Sequence, residues 1–126
     1  MKTFILWHNP RCGKSRQALE ILRGKGIEPK IRLYLQDPPD TEEIKMLLKK
    51  LGLSAREITR TKESVFNSLI DPANTAEAQW INTLAQHPIL IERPILITDH
   101  AAVIGRPPEN ILKLLPASTH INKKSR

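Results

Sequence analysis

Between positions 8 and 16 the chain runs His8-Asn9-Pro10-Arg11-Cys12-Gly13-Lys14-Ser15-Arg16, and this stretch holds the sequence's one cysteine. A thiol attacks only as its thiolate, so the first question is what would ionise it. Moving a thiol pKa from about 8.5 to about 6.5 takes about 2.7 kcal/mol of preferential stabilisation of the anion. A helix N-terminus supplies about 0.3–2 kcal/mol of that, through amides with no intrahelical partner and the positive end of the macrodipole. The rest has to come from neighbours: His8 on the approach, Arg11 and Arg16 on the flanks, and the Ser15 hydroxyl one turn on. The field that holds a thiolate also favours an oxyanion beside it. Ser15, three residues after Cys12, leaves no second thiol in reach, so any disulfide that Cys12 makes is with another molecule.

The flanking elements put Cys12 where that chemistry needs it. Residues 3–7 are a β-branched and aromatic run of strand length, Asn9-Pro10 is a turn signal, and residues 13–23 carry apolar side chains at helical spacing. Gly24-x-Gly26 stops that helix, and residues 30–35 read as a second strand ended by Asp37-Pro38-Pro39. Strand, helix, strand at this spacing is a βαβ unit with a parallel pair.

A long helical stretch follows. Asp40 with Glu43 forms a capping pair ahead of Ile44, Leu47, Leu48 and Leu51, and Gly52 stops the helix. Ser54 with Glu57 caps a short helix, a third is expected over 62–70, and Asn74 with Glu77 opens a fourth that ends at His87-Pro88. Strand signals return over 95–98 and 102–105, joined by a tight turn at Asp99-His100, and Arg106-Pro107-Pro108-Glu109 starts a last helix that runs to Pro116.

Composition narrows the function classes. At 126 residues and 40% hydrophobic the chain suffices for one compact domain, and a single cysteine rules out an internal disulfide framework. That, with no cleavable leader pattern and no apolar run of membrane-spanning length, points to a cytoplasmic protein without a membrane partner. Net charge is +7, but three of those charges are Lys123, Lys124 and Arg126 in a polar tail, and aromatics are only 4%. Without stacking surface or a nucleic-acid motif, the basic excess reads as solvated surface or as attraction for an anionic substrate, and no nucleic acid is expected. No spacing of His with Cys suggests a metal site.

The order βαβ, helices, ββα is the thioredoxin-like plan: an α/β fold with a mixed sheet of about four strands and an inserted helical cap. The expected organisation is a single domain over 1–126, with the helical insertion at about 36–90 and the polar tail at about 117–126. Ile91-Glu92-Arg93-Pro94 precedes the third strand. In thioredoxin-like folds a proline there is usually cis and faces the thiol, which implies a cis Arg93–Pro94 bond.

Several segments carry a closer resemblance: His8-Asn9-Pro10-x-Cys12-Gly13-x-Ser15-Arg16, Tyr34-Leu35 followed by Pro38-Pro39, Arg60-x-x-Glu63, His87-Pro88-Ile89-Leu90-Ile91-x-Arg93-Pro94 and Arg106-Pro107-x-Glu109. In order and in type they resemble the ArsC family of glutaredoxin-coupled arsenate reductases, from residue 3 to about 116. Ile104-Gly105-Arg106-Pro107-Pro108 resembles its YfgD-like branch, while Lys14 stands where a small hydroxyl residue is common and Phe66 replaces a tyrosine. The resemblance implies that Cys12 is the nucleophile toward arsenate, that Arg60, Arg93 and Arg106 bind the anion, and that His8 and Ser15 modulate the thiolate. It further implies glutathione as co-substrate, glutaredoxin as partner and no bound cofactor. Arginine suits the anion-binding role on physical grounds, because its planar, permanently charged fork donates paired hydrogen bonds to an oxyanion.

Plainer roles exist for each residue. A lone cysteine is commonly a small buried hydrophobe, and Arg60-x-x-Glu63 has the i, i+3 spacing of a weak helical ion pair. Two rival functions share the fold: a Spx-type transcription regulator that binds RNA polymerase, and a monothiol glutaredoxin-like, glutathione-dependent oxidoreductase. The regulators commonly carry a second cysteine at the place that Ser15 occupies, whereas a Cys-x-x-Ser centre suffices for the oxidoreductase.

Overall fold

Four short strands, β1 (Ile5–Trp7), β2 (Lys30–Arg32), β3 (Ile95–Ile97) and β4 (Ala102–Ile104), form one mixed sheet in the order β2-β1-β3-β4 in the computed structural model, which describes residues 3–115. β1 runs parallel to β2, with Leu6 opposite Ile31, and antiparallel to β3, with Leu6 opposite Leu96. β3 and β4 make an antiparallel hairpin whose turn at Asp99-His100 is closed by the Thr98 amide donating to the Ala101 carbonyl at 2.8 Å. The fold is therefore the α/β, thioredoxin-like one, with its βαβ and ββ halves joined through β1 and β3.

The chain divides into two compact units, residues 3–32 with 93–115 and residues 33–92. In the first, helix α1 (Gly13–Gly24) turns Ser15, Ala18 and Leu22 inward, the i, i+3, i+7 stripe of an amphipathic helix. Leu6, Ala18, Leu22, Leu96, Ile111 and Leu115 form the core between sheet and helix. α1 ends where Gly26 adopts φ +80°, which lets its amide reach the Arg23 carbonyl and the Ile27 amide reach that of Leu22. The last helix differs in kind from the α-helix its apolar spacing suggests: Pro108–Leu114 is a 3₁₀ segment. Its i, i+3 repeat puts Pro108 and Ile111 on one buried edge, which is how a proline-led segment of this length packs onto α1 and β4.

In the second unit, helix α2 (Thr41–Leu51) opens on a reciprocal cap. The Glu43 amide donates to Asp40 Oδ1 at 2.8 Å and the Asp40 amide to Glu43 Oε1 at 3.1 Å. Gly52, at φ +70°, ends it. Helix α3 is only Phe66–Leu69, and helix α4 (Glu77–Gln86) packs Trp80, Ile81 and Leu84 inward and lies against α2. The Phe66 and Trp80 rings sit 6.0 Å apart.

Several boundaries depart from the sequence expectations. β2 stops at Arg32, and residues 33–36 turn, with the Gln36 amide donating to the Leu33 carbonyl. Asn74 does not cap α4: its side-chain amide donates to Asp71, whose carboxylate also takes the Ala73 amide and so holds a local turn. Gln79 caps α4 instead, accepting from the Ala76 amide at 3.0 Å. The polar tail expected from residue 117 lies outside the described residues. Among the described residues no helix is long and apolar enough to cross a membrane.

Candidate active site

Cys12 is the residue immediately before α1, in extended conformation and partly exposed. Its carbonyl accepts the Arg16 amide at 3.0 Å, so the helix begins on the cysteine itself and its sulfur stands at the unpaired amides of the first turn. The loop that delivers it is built around buried Asn9. The Asn9 carbonyl accepts the Cys12 amide at 2.9 Å, its side-chain oxygen accepts the Arg11 amide at 3.0 Å, and its own amide donates to Ser15 Oγ at 3.0 Å. Arg16 braces the same loop, donating from Nη1 to the Pro10 carbonyl at 2.9 Å.

Ser15 is fully buried, and its hydroxyl also shares a 2.7 Å hydrogen bond with His8 Nδ1. Burial first, then the positive charges of Arg23 and Arg16, hold the His8 pKa below its ordinary value, so the imidazole is neutral near pH 7. A neutral ring with its proton on Nε2 accepts the Ser15 hydroxyl at Nδ1. His8 and Ser15 thus fix the first turn of α1 from its buried side.

The second half of the site comes from the hairpin. The bonds preceding Pro94 and Pro107 are both cis; the first is the one implied by the resemblance. Arg106 Nη1 donates to the Arg93 carbonyl at 2.9 Å and points at Cys12 Sγ from 3.8 Å. Asn110 donates to the Arg106 carbonyl at 3.1 Å.

These groups decide the state of the sulfur. Burial pushes the Cys12 thiol up, but the Ser15 amide, the Arg93 guanidinium, the Lys14 amide and the Arg106 guanidinium together pull its pKa below the ordinary thiol value. The two amides act through their dipoles, since neither closes a full capping hydrogen bond to the sulfur. A partly exposed sulfur with two guanidinium groups beside it has the surroundings that favour the thiolate over the thiol.

Cys12, His8, Ser15, Arg93 and Arg106 all lie in the first unit. Arg60 lies in the second, where its Nε donates to Glu63 at 3.0 Å and its Nη1 is 3.7 Å from Glu92. The i, i+3 pairing with Glu63 is there, joined by a second carboxylate that sequence spacing gave no reason to expect. Glu92 reaches Arg60 because the backbone pairs Thr59 with Ile91, with the Arg60 amide donating to the Leu90 carbonyl at 2.7 Å. Asn9 carries a structural role beyond the turn signal, one its position before a proline and two residues ahead of a free amide is suited to. Among the described residues no three His, Cys, Asp or Glu side chains gather as metal ligands.

The chain is similar to known proteins over most of its length. Residues 7–114 match the ArsC family. An arsenate reductase of Haemophilus influenzae is 43% identical over 113 residues, covering 88% of this chain and 97% of that protein. The protein YfgD of Escherichia coli K12 is 42% identical over 116 residues, covering 90% and 98%. The structure of an arsenate reductase from Vibrio cholerae superimposes with a TM-score of 0.86 at 38% identity, covering 90% of this chain and 98% of that one. A fold, a thiol loop and a nearly full-length match agree: the chain belongs to the ArsC family.

Proposed function

We propose that this protein reduces arsenate to arsenite, with Cys12 as nucleophile, Arg93 and Arg106 as anion ligands, and His8 and Ser15 as the groups that set the thiolate. The observation that most supports this is the Cys12 sulfur at the N-terminus of α1 with Arg106 Nη1 3.8 Å away. Arg60 enters as a third anion ligand on the family resemblance alone. The chain acts as one domain, with about 36–90 as an insertion in the thioredoxin-like frame.

The Cys12 thiolate attacks arsenic, an S–As bond forms, and one arsenate oxygen leaves as water after taking up protons. A glutathione thiolate then attacks the Cys12 sulfur. The S–S bond forms as the S–As bond breaks, and the S–As electron pair stays on arsenic, taking it from As(V) to arsenite, As(III). The two thiols are oxidised together to a Cys12–glutathione disulfide. A glutaredoxin thiolate attacks the glutathione sulfur of that disulfide and releases the Cys12 thiolate. No other cysteine in the chain can serve as resolving thiol, so an external donor is required and a reducing, cytoplasmic setting follows.

Purified protein, arsenate, glutathione and glutaredoxin are expected to give arsenite, and Cys12→Ser none. Turnover of a glutathione mixed disulfide with no response to arsenate would replace this function by the oxidoreductase one. Inertness toward both, with binding to RNA polymerase, would replace it by the regulator.

A further inference from the structure

Both arginines that face the sulfur come from the ends of the β3–β4 hairpin, and the chain closes those ends on each other at a residue with no side chain. The Gly105 amide donates to the Pro94 carbonyl at 2.8 Å, and one residue on, Arg106 Nη1 donates to the Arg93 carbonyl at 2.9 Å. A Cβ placed on Gly105 would lie 2.9 Å from Pro94 Cγ and 3.2 Å from Ile111 Cγ2. The first atom belongs to a closed pyrrolidine ring and the second to a fully buried core side chain, so neither yields by swinging a flexible chain end aside. Gly105 does not occupy the left-handed region, so close approach, and not backbone conformation, is what demands glycine here.

We propose that Gly105 is a positioning residue: its bare Cα lets the Pro94 ring seat against it, and that seating sets where Arg93 and Arg106 meet the Cys12 sulfur. The proposal rests on the site assigned above but not on arsenate as its substrate. A methyl group at 105 forces Pro94, and with it the Arg93 carbonyl that anchors Arg106, to shift by several tenths of an ångström. Charge-assisted contacts to an anion weaken with that displacement, whereas the Ser15 and Lys14 amides on α1 stay where they are.

The test is titration of the Cys12 thiolate by its ultraviolet absorbance, which needs no substrate, in Gly105→Ala and in Gly105→Ala added to the Arg93→Ala/Arg106→Ala pair. Gly105→Ala is expected to raise the thiol pKa by about half a unit or more and to add nothing once both arginines are gone, since it acts through them. Leu22→Ala, equally a core change but on α1, is expected to lower the melting temperature and leave the titration alone. Should Gly105→Ala not fold, Gly105→Ala/Ile111→Ala, which removes one of the two collisions, is read against Ile111→Ala by the same criteria. An unchanged titration in a folded Gly105 variant, or an equal shift with the arginines absent, overturns the proposal. A positive titration with no arsenate turnover in the parent protein would retain Gly105's role and reject the arsenate function instead.

Discussion

The Cys12 sulfur is stabilised as an anion by two kinds of donor with different dependence on geometry. Amide dipoles at the start of α1 come with the helix, but guanidinium contacts require residues 93 and 106 to be brought to residue 12 by the fold. Arg106→Lys keeps the charge and loses the planar guanidinium whose Nη1 meets both the Arg93 carbonyl and the sulfur. Its expected effect is a rise of about tenfold or more in the arsenate KM, measured by steady-state kinetics, with a smaller change in the thiol pKa than Arg106→Ala gives. His8 makes a separate, pH-dependent contribution. Its folded pKa lies below the unfolded value of about 6.5, so as pH falls through that value the unfolded chain takes up a proton that the folded chain does not, and stability is lost. Thermal melts between about pH 7.5 and about pH 5.5 are expected to show a larger loss for the parent protein than for His8→Asn; equal losses would mean that His8 is not held neutral by its surroundings. The cysteine and its motif partners were legible in the sequence because they are contiguous. The Arg106 bond to the Arg93 carbonyl was not, because its ends lie 13 positions apart across the hairpin.

At the scale of elements, what positions the site is the way each one starts and stops. α1 starts on Cys12 because Asn9 ties the loop with three hydrogen bonds, and just past the end of β4 the Gly105 amide holds the chain to the Pro94 carbonyl. The Asp40–Glu43 cap was readable from spacing alone and is present. Asp40→Ala is expected to cost about 1 kcal/mol in urea denaturation, with Glu43→Ala adding less than its separate cost when the two are combined, since each removes half of one reciprocal pair. Fully additive losses would contradict the cap. Where local signals competed, sequence reasoning placed boundaries less well. Asp71 took Asn74 into its own turn before it could cap α4, and residues 33–36 turned although their composition suits a strand. The 3₁₀ character of Pro108–Leu114 depends on packing against α1 and β4, which no window of the sequence contains.

For the whole molecule, the order of strands and helices was enough to foresee a four-stranded mixed sheet, because a βαβ unit and a β-hairpin have few ways to share one core. The excess of seven positive charges acts at longer range than any single contact. It is expected to draw arsenate in, so kcat/KM should fall severalfold between about 10 mM and about 200 mM salt, with kcat nearly constant; a kcat/KM independent of salt would limit the attraction to the site itself. Arg60, paired with Glu63 and Glu92, marks the limit of motif matching: its type and place in the sequence fit an anion ligand, and its present partners are carboxylates. The most direct test of the account is the pH titration of the Cys12 thiolate in the parent protein, Arg93→Ala and Arg106→Ala. The parent is expected to ionise below the ordinary thiol value of about 8.5 and both variants to shift upward; a parent that titrates at or above that value, or variants that match it, would contradict the claim that converging arginines make this sulfur a nucleophile.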